Sequence, residues 1–134
     1  MQKILLFSSL LLSTLLFFLH KLAGAYSLYF MLPWFDSMMH FLGGLALGAL
    51  FLWFSLFLKR YVRLLSAVPT NLLVLCFVLL IGVGWELFEY IYDITYPVFT
   101  TYGFDTAKDL VVDIFGAWLV VWLYAHYAPT TITT

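Results

Sequence analysis

Residues 71–92 read NLLVLCFVLLIGVGWELFEYIY, with no charge from Asn71 to Trp85 and then two acids, Glu86 and Glu89, before the run ends. Wound as an α-helix at about 1.5 Å per residue, the segment covers about 33 Å, enough to cross the ~30 Å hydrocarbon layer of a bilayer. A lone strand here would leave its backbone N–H and C=O groups unpaired in lipid, so the run predicts a transmembrane helix. Its two acids lie three residues apart, on one helix face.

Working outward, three further runs have the same character: about 4–19, extending towards 35, then 37–58 and 106–127. Pro69 falls at the start of a span, and Pro33, Pro97 and Pro129 fall between spans or in a tail, where proline is tolerated. The composition agrees, with 65% hydrophobic, 21% aromatic and only 10% charged residues among 134, and a mean hydropathy of +1.05. A soluble domain carries about 25% charged residues, so that class is excluded. The expectation is an all-α membrane protein, a bundle of four transmembrane helices in a single integral membrane domain over residues 1–134. Six Lys and Arg against seven Asp and Glu give a formal charge of −1, with no basic surplus for nucleic acid. The single Cys76 lies in an apolar run and reads as a small core hydrophobe.

Lys3, the apolar centre of the first run and the trio Ala23, Gly24, Ala25 share features of a signal peptide, but His20 and Lys21 interrupt the pattern and an uncleaved anchor is the preferred reading. Lys59, Arg60 and Arg63, between the second and third spans, form the only basic cluster, which the positive-inside rule assigns to the cytoplasm. Both termini are then cytoplasmic. Lys3 agrees with this orientation, whereas Lys21 and Lys108 fall on the opposite side.

All seven carboxylates, Asp36, Glu86, Glu89, Asp93, Asp105, Asp109 and Asp113, then map to the outward half of the bundle. Asp36 and His40 are four apart; Glu86, Glu89 and Asp93 are three and four apart; Asp105, Asp109 and Asp113 are four and four apart. Each set occupies one helix face, which should look into the bundle, because an acid facing lipid costs about 2.5–3.5 kcal/mol on insertion scales. Gly44 and Gly48, Gly82 and Gly116 lie on the same faces and would let the helices approach closely. Asp36 and Asp105 also suit helix N-caps, and Asp93 a solvated helix end. His20 and His126 read as interfacial; most Trp and Tyr side chains fall near span ends as an aromatic belt, while Trp85 and Trp118 lie deeper and could wall the pocket, with packing the preferred reading for both. So many acids around His40, with Lys108 the nearest cation and Lys21 a second, require neutralisation by shared protons, a divalent metal or a cationic ligand. Carboxylates with imidazole suit a divalent ion, so His40, Glu86, Glu89, Asp109 and Asp113 are expected metal ligands, with Asp36 or Asp105 as catalytic base.

The segments DSMMHFLGG (36–44), WELFE (85–89) and DTAKDLVVDIFGA (105–117) resemble the YjdF-like inner-membrane proteins and, more distantly, the VanZ-like proteins. The YjdF-like pattern is closer because Glu86 and Glu89 are both acids. The resemblance spans about three of the four helices, makes Asp36, His40, Glu86, Glu89, Asp105, Asp109 and Asp113 the signature positions, and implies a bacterial-type inner membrane. Its VanZ-like branch implies teicoplanin resistance; its YjdF-like branch implies no particular chemistry.

Three functions compete. A metal-dependent hydrolase or transferase would act on a lipid or cell-wall precursor headgroup at the outer leaflet. A non-catalytic lipid-binding, glycopeptide-binding or accessory protein would use the acids to recognise an amine-bearing ligand. A cation or proton handler would need a path inward, and the spans below Glu86 and Asp113 offer no relay within one chain.

Overall fold

The computed structural model describes residues 2–92 and 101–127; the expectations for Asp93, Pro97 and Pro129 fall outside them. Its helices, in chain order, are α1 (Gln2–Tyr26), α2 (Leu28–Met31), α3 (Phe35–Leu58), α4 (Arg63–Ser66), α5 (Thr70–Tyr92) and α6 (Tyr102–Tyr127), with no strand among the described residues. Four of them, α1, α3, α5 and α6, are long and apolar enough to cross a membrane. The fold is therefore an all-helical membrane bundle of four spans.

The first span runs further than the apolar run that announces it. His20 and Lys21 sit inside α1, near the end where a polar side chain can reach the headgroup layer, and the helix stops only at Ser27, whose φ of 54° is left-handed. The short α2 then turns the chain into α3. Asp36 and Asp105 are not N-caps. Trp34 precedes α3 and Asp36 lies in its first turn, while the Asp105 amide donates to Thr101 O (3.1 Å) inside the first turn of α6. Both acids still sit at the positive end of their helix dipole.

Helix α3 is central and packs against α1, α5 and α6; α5 and α6 also pack together, and α1 rests chiefly on α3. Lipid tails are as apolar as leucine, so burial alone does not hold such helices together; close van der Waals contact does. Glycine supplies it. A Cβ on Gly48 would come within 2.7 Å of Ala117 Cα, one on Gly116 within 2.5 Å of Phe41 O, and one on Gly44 would overlap the Asp113 carbonyl. Gly44, Gly48 and Gly116 thus form one backbone seam between α3 and α6. Beyond the seam, Leu52, Val74, Val78 and Ala117 form the apolar core.

At that end Lys59 Nζ donates to Val68 O (2.6 Å) and Thr70 Oγ1 (2.8 Å), which ties the end of α3 to the start of α5. Arg60 and Arg63 lie beside this turn. The first turn of α3, the last of α5 and the first of α6 are brought together at the opposite end.

Candidate functional site

At the acid-bearing end, helical spacing places Asp36 and His40 one turn apart on α3, and both meet acids from the two neighbouring helices. His40 Nε2 is 4.0 Å from Asp36 Oδ1 and 3.9 Å from Glu86 Oε1, and His40 Nδ1 is 3.3 Å from Asp113 Oδ2. With the ring proton on Nδ1, where Asp113 accepts it, Nε2 keeps its lone pair and faces Asp36 and Glu86. That is the carboxylate–histidine arrangement by which an outer acid orients a metal-binding imidazole.

One ligand atom from each of Asp36, His40 and Asp109 lies within 4.8 Å of the other two. Of the expected ligands, the structure therefore brings His40 and Asp109 together, adds Asp36, which was expected as a base, and sets Asp113 behind His40. Glu86 is adjacent: its Oε2 accepts from Thr106 Oγ1 (2.7 Å), while Tyr102 OH donates to its main-chain oxygen (3.1 Å). Glu89, one turn away on α5, is half-buried and lines a groove described below. Asp105 stands further out and accepts from Lys108 Nζ at 2.7 Å. The same ammonium lies 3.4 Å from Asp109 Oδ1 and 3.9 Å from Asp36 Oδ2.

Six described carboxylates thus converge around one lysine and one imidazole. Two of their oxygens stand out. Glu86 Oε1 and Asp109 Oδ1 are buried without a hydrogen-bond partner, on residues only 5% and 3% exposed. A buried polar atom left unbonded costs about 1–3 kcal/mol, more when charged. Asp109 Oδ1 already faces the Lys108 ammonium at 3.4 Å, so Glu86 Oε1, 3.9 Å from His40 Nε2, is the oxygen of the two with no lysine or arginine beside it among the described residues.

Beside the cluster runs a half-open groove of about 410 Å³ between α1 and α5, floored by α3. Tyr29 and His20 stand at its mouth, with His20 Nδ1 and Tyr29 OH 3.2 Å apart. Burial and then the negative charges of Asp36 and Glu89 push the Tyr29 phenol up to about 12, so it remains a neutral hydroxyl. Trp85 lines the groove, whereas Trp118 stacks with Phe115 and Trp122 on an exposed face of α6 and takes no part in the site. His126 likewise stacks on Trp122, far from the acids.

Tyr29, His20 and Thr106 were not singled out from the sequence as members of this site. Thr106 sits three residues before Asp109, one turn away on the same face, which was a readable signal. Tyr29 had none, because its position depends on the break at Ser27.

Fold and cluster together define a four-span membrane protein with a buried acid and histidine centre near one membrane surface. Over residues 4–129 the chain matches the family described as predicted membrane protein (DUF2238), and it belongs to that family, which includes the YjdF-like proteins. No curated protein and no solved structure matches it. The family match bears on the YjdF-like resemblance and not on the VanZ-like one.

Proposed function

We propose that the chain is a single membrane domain whose acidic end faces outward and holds a divalent cation on Asp36, His40 and Asp109, for chemistry on a lipid or cell-wall precursor headgroup. One observation carries this reading: three suitable ligand atoms from two helices within 4.8 Å of one another, with the unbonded Glu86 Oε1 beside them. Oxygen and imidazole donors fit a divalent ion of the first transition row or magnesium. Asp113 orients His40 from behind, and Asp105 holds Lys108 in place. A bound ion would supply Lewis acidity or a more acidic water to a hydrolase or transferase. The orientation rests on Lys59, Arg60 and Arg63 at the other end, which favour the cytoplasm together with both termini, as in a bacterial-type inner membrane protein.

Ion or proton transport is less well supported. Leu52, Val74, Val78 and Ala117 close the path toward the basic end with apolar side chains. The VanZ-like resemblance would add glycopeptide recognition by the same acids.

Elemental analysis of detergent-purified protein tests the metal. The native chain should retain about one divalent ion, and His40→Ala and Asp109→Asn should lose it. Native protein that holds no ion after incubation with magnesium, manganese or zinc and removal of the excess would overturn the reading.

A further inference from the structure

The groove between α1 and α5 is built for an acyl chain and ends at carboxylates. Most of its lining is apolar, from Leu16, Phe17 and Leu47 to Ile81, with Asp113 partway along beside Gly43 and Gly82, while its polar end is formed by Glu89 and Asp36 together with Tyr29. Its volume of about 410 Å³ falls within the ~300–1,000 Å³ of small-ligand sites. The groove exists because α1 leans on α3, through the buried Ser9 and Ala23, and stands apart from α5. In a bilayer both walls are spans, so lipid is the medium that meets its open side.

Charge selects among lipids. Lys108 pairs with Asp36, Asp105 and Asp109, but Glu89 and Asp113, the other acids on the groove, pair with no lysine or arginine among the described residues. Trp85 lines the groove one turn from Glu89 and donates its indole N–H to that carboxylate, which holds Glu89 on the groove wall as a fixed negative group for an ammonium ion. An anionic headgroup placed at Glu89 would meet repulsion, while Lys21, whose ammonium stands 5.7 Å from the centre of the Phe17 ring on the α1 wall, is free to meet the lipid phosphate.

We propose that this groove binds a phospholipid whose headgroup carries a primary ammonium, of the phosphatidylethanolamine class, with one acyl chain along α1 and α5 and the ammonium at Glu89 beside Trp85. The proposal deepens the reading of the same acidic end by naming the lipid, but it does not require the metal.

Native mass spectrometry of the full chain, equilibrated with equal amounts of phosphatidylethanolamine and phosphatidylglycerol of matched chains, tests it. The native protein should retain phosphatidylethanolamine about fivefold over phosphatidylglycerol, equivalent to ~1 kcal/mol. Glu89→Gln keeps the shape of a half-buried side chain and should still bind lipid while losing the preference, and Glu89→Asp should restore part of it. Ser13→Trp, at an exposed α1 position on the groove wall, should reduce retention of both lipids. Equal retention by the native protein, or an unchanged preference in Glu89→Gln, would overturn the proposal. The measurement is repeated in EDTA. A preference that survives chelation supports recognition by Glu89 whatever the metal content, and one that vanishes assigns the headgroup to the metal and refutes the ammonium site.

Discussion

Gly44→Ala tests the seam on which the cluster depends. The added Cβ would lie 2.9 Å from Asp113 Cα and 2.8 Å from its carbonyl carbon, and closer still to the carbonyl oxygen, whereas ordinary contact begins at 3.4 Å. Relieving the carbon contacts alone moves α6 back by about 0.6 Å. The same movement lengthens the His40 Nδ1 to Asp113 Oδ2 distance from 3.3 Å to about 3.9 Å, beyond hydrogen-bond range. Overpacking of this kind costs about 1–3 kcal/mol, against which alanine's helix preference returns ~0.5–1 kcal/mol. Gly43→Ala is the matched control. Its Cβ meets only Asp113 Oδ1, at 3.8 Å, so it has the same backbone gain without the collision. Unfolding in mixed detergent micelles, followed by tryptophan fluorescence, should place Gly44→Ala below Gly43→Ala by about 1–3 kcal/mol, with lower metal retention in the former. Equal stability of the two variants would refute the argument that backbone contact between α3 and α6 positions the acids.

Two further outcomes follow from the charges. Lys108→Met removes an ammonium 3.4 Å from Asp109 Oδ1 and should tighten divalent-ion binding. Unit charges 4 Å apart at an effective dielectric of 20 repel by about 4 kcal/mol, but a side chain 31% exposed is heavily screened, so about a tenfold gain by isothermal titration is expected. Weaker binding would show that the lysine holds Asp36 and Asp109 in place instead. Tyr29 has its pKa raised from 10.0 to about 12, by burial and then by Asp36 and Glu89, so its neutral form favours the folded state. That contribution is fully present below pH 10 and is lost between pH 10 and about 12. Thermal unfolding across this window should therefore show a steeper loss for the native chain than for Tyr29→Phe, and parallel curves would count against the burial of the phenol.

The faces of the acids were legible because helical spacing is rigid. Asp36 with His40, and Asp109 with Asp113, are four apart, and once their helices lie side by side these residues meet. The close approach at Gly44, Gly48 and Gly116 was legible for the same reason. Helix starts were less so. Asp36 and Asp105 have N-cap chemistry, yet the chain begins each helix earlier, at Phe35 and Tyr102, because turn geometry competes with side-chain preference. The division of labour among the acids was hidden as well. Spacing assigns residues to a face, but whether Asp113 binds an ion or orients His40 depends on how far α6 slides along α3, and the glycine seam sets that offset. The groove was beyond reach from sequence, since it arises from where α1 stops leaning on α3.

The bonds that Glu86 makes with α6 also bear on the order in which the protein can be made. Helix α5 leaves the ribosome while Tyr102 and Thr106 are still inside its exit tunnel, so Glu86 enters the membrane without the partners it has in the finished fold. The fifteen uncharged residues from Asn71 to Trp85 make that entry feasible. Helix α6 carries Asp105, Lys108, Asp109 and Asp113 within its first half, ahead of the uncharged residues 114–125, and a charge costs about 2.5–3.5 kcal/mol where it reaches mid-membrane depth and less towards the surface. The bonds its polar half makes with the earlier helices, Asp113 with His40 and Thr106 with Glu86, offset part of that cost once the last span meets them in the bilayer.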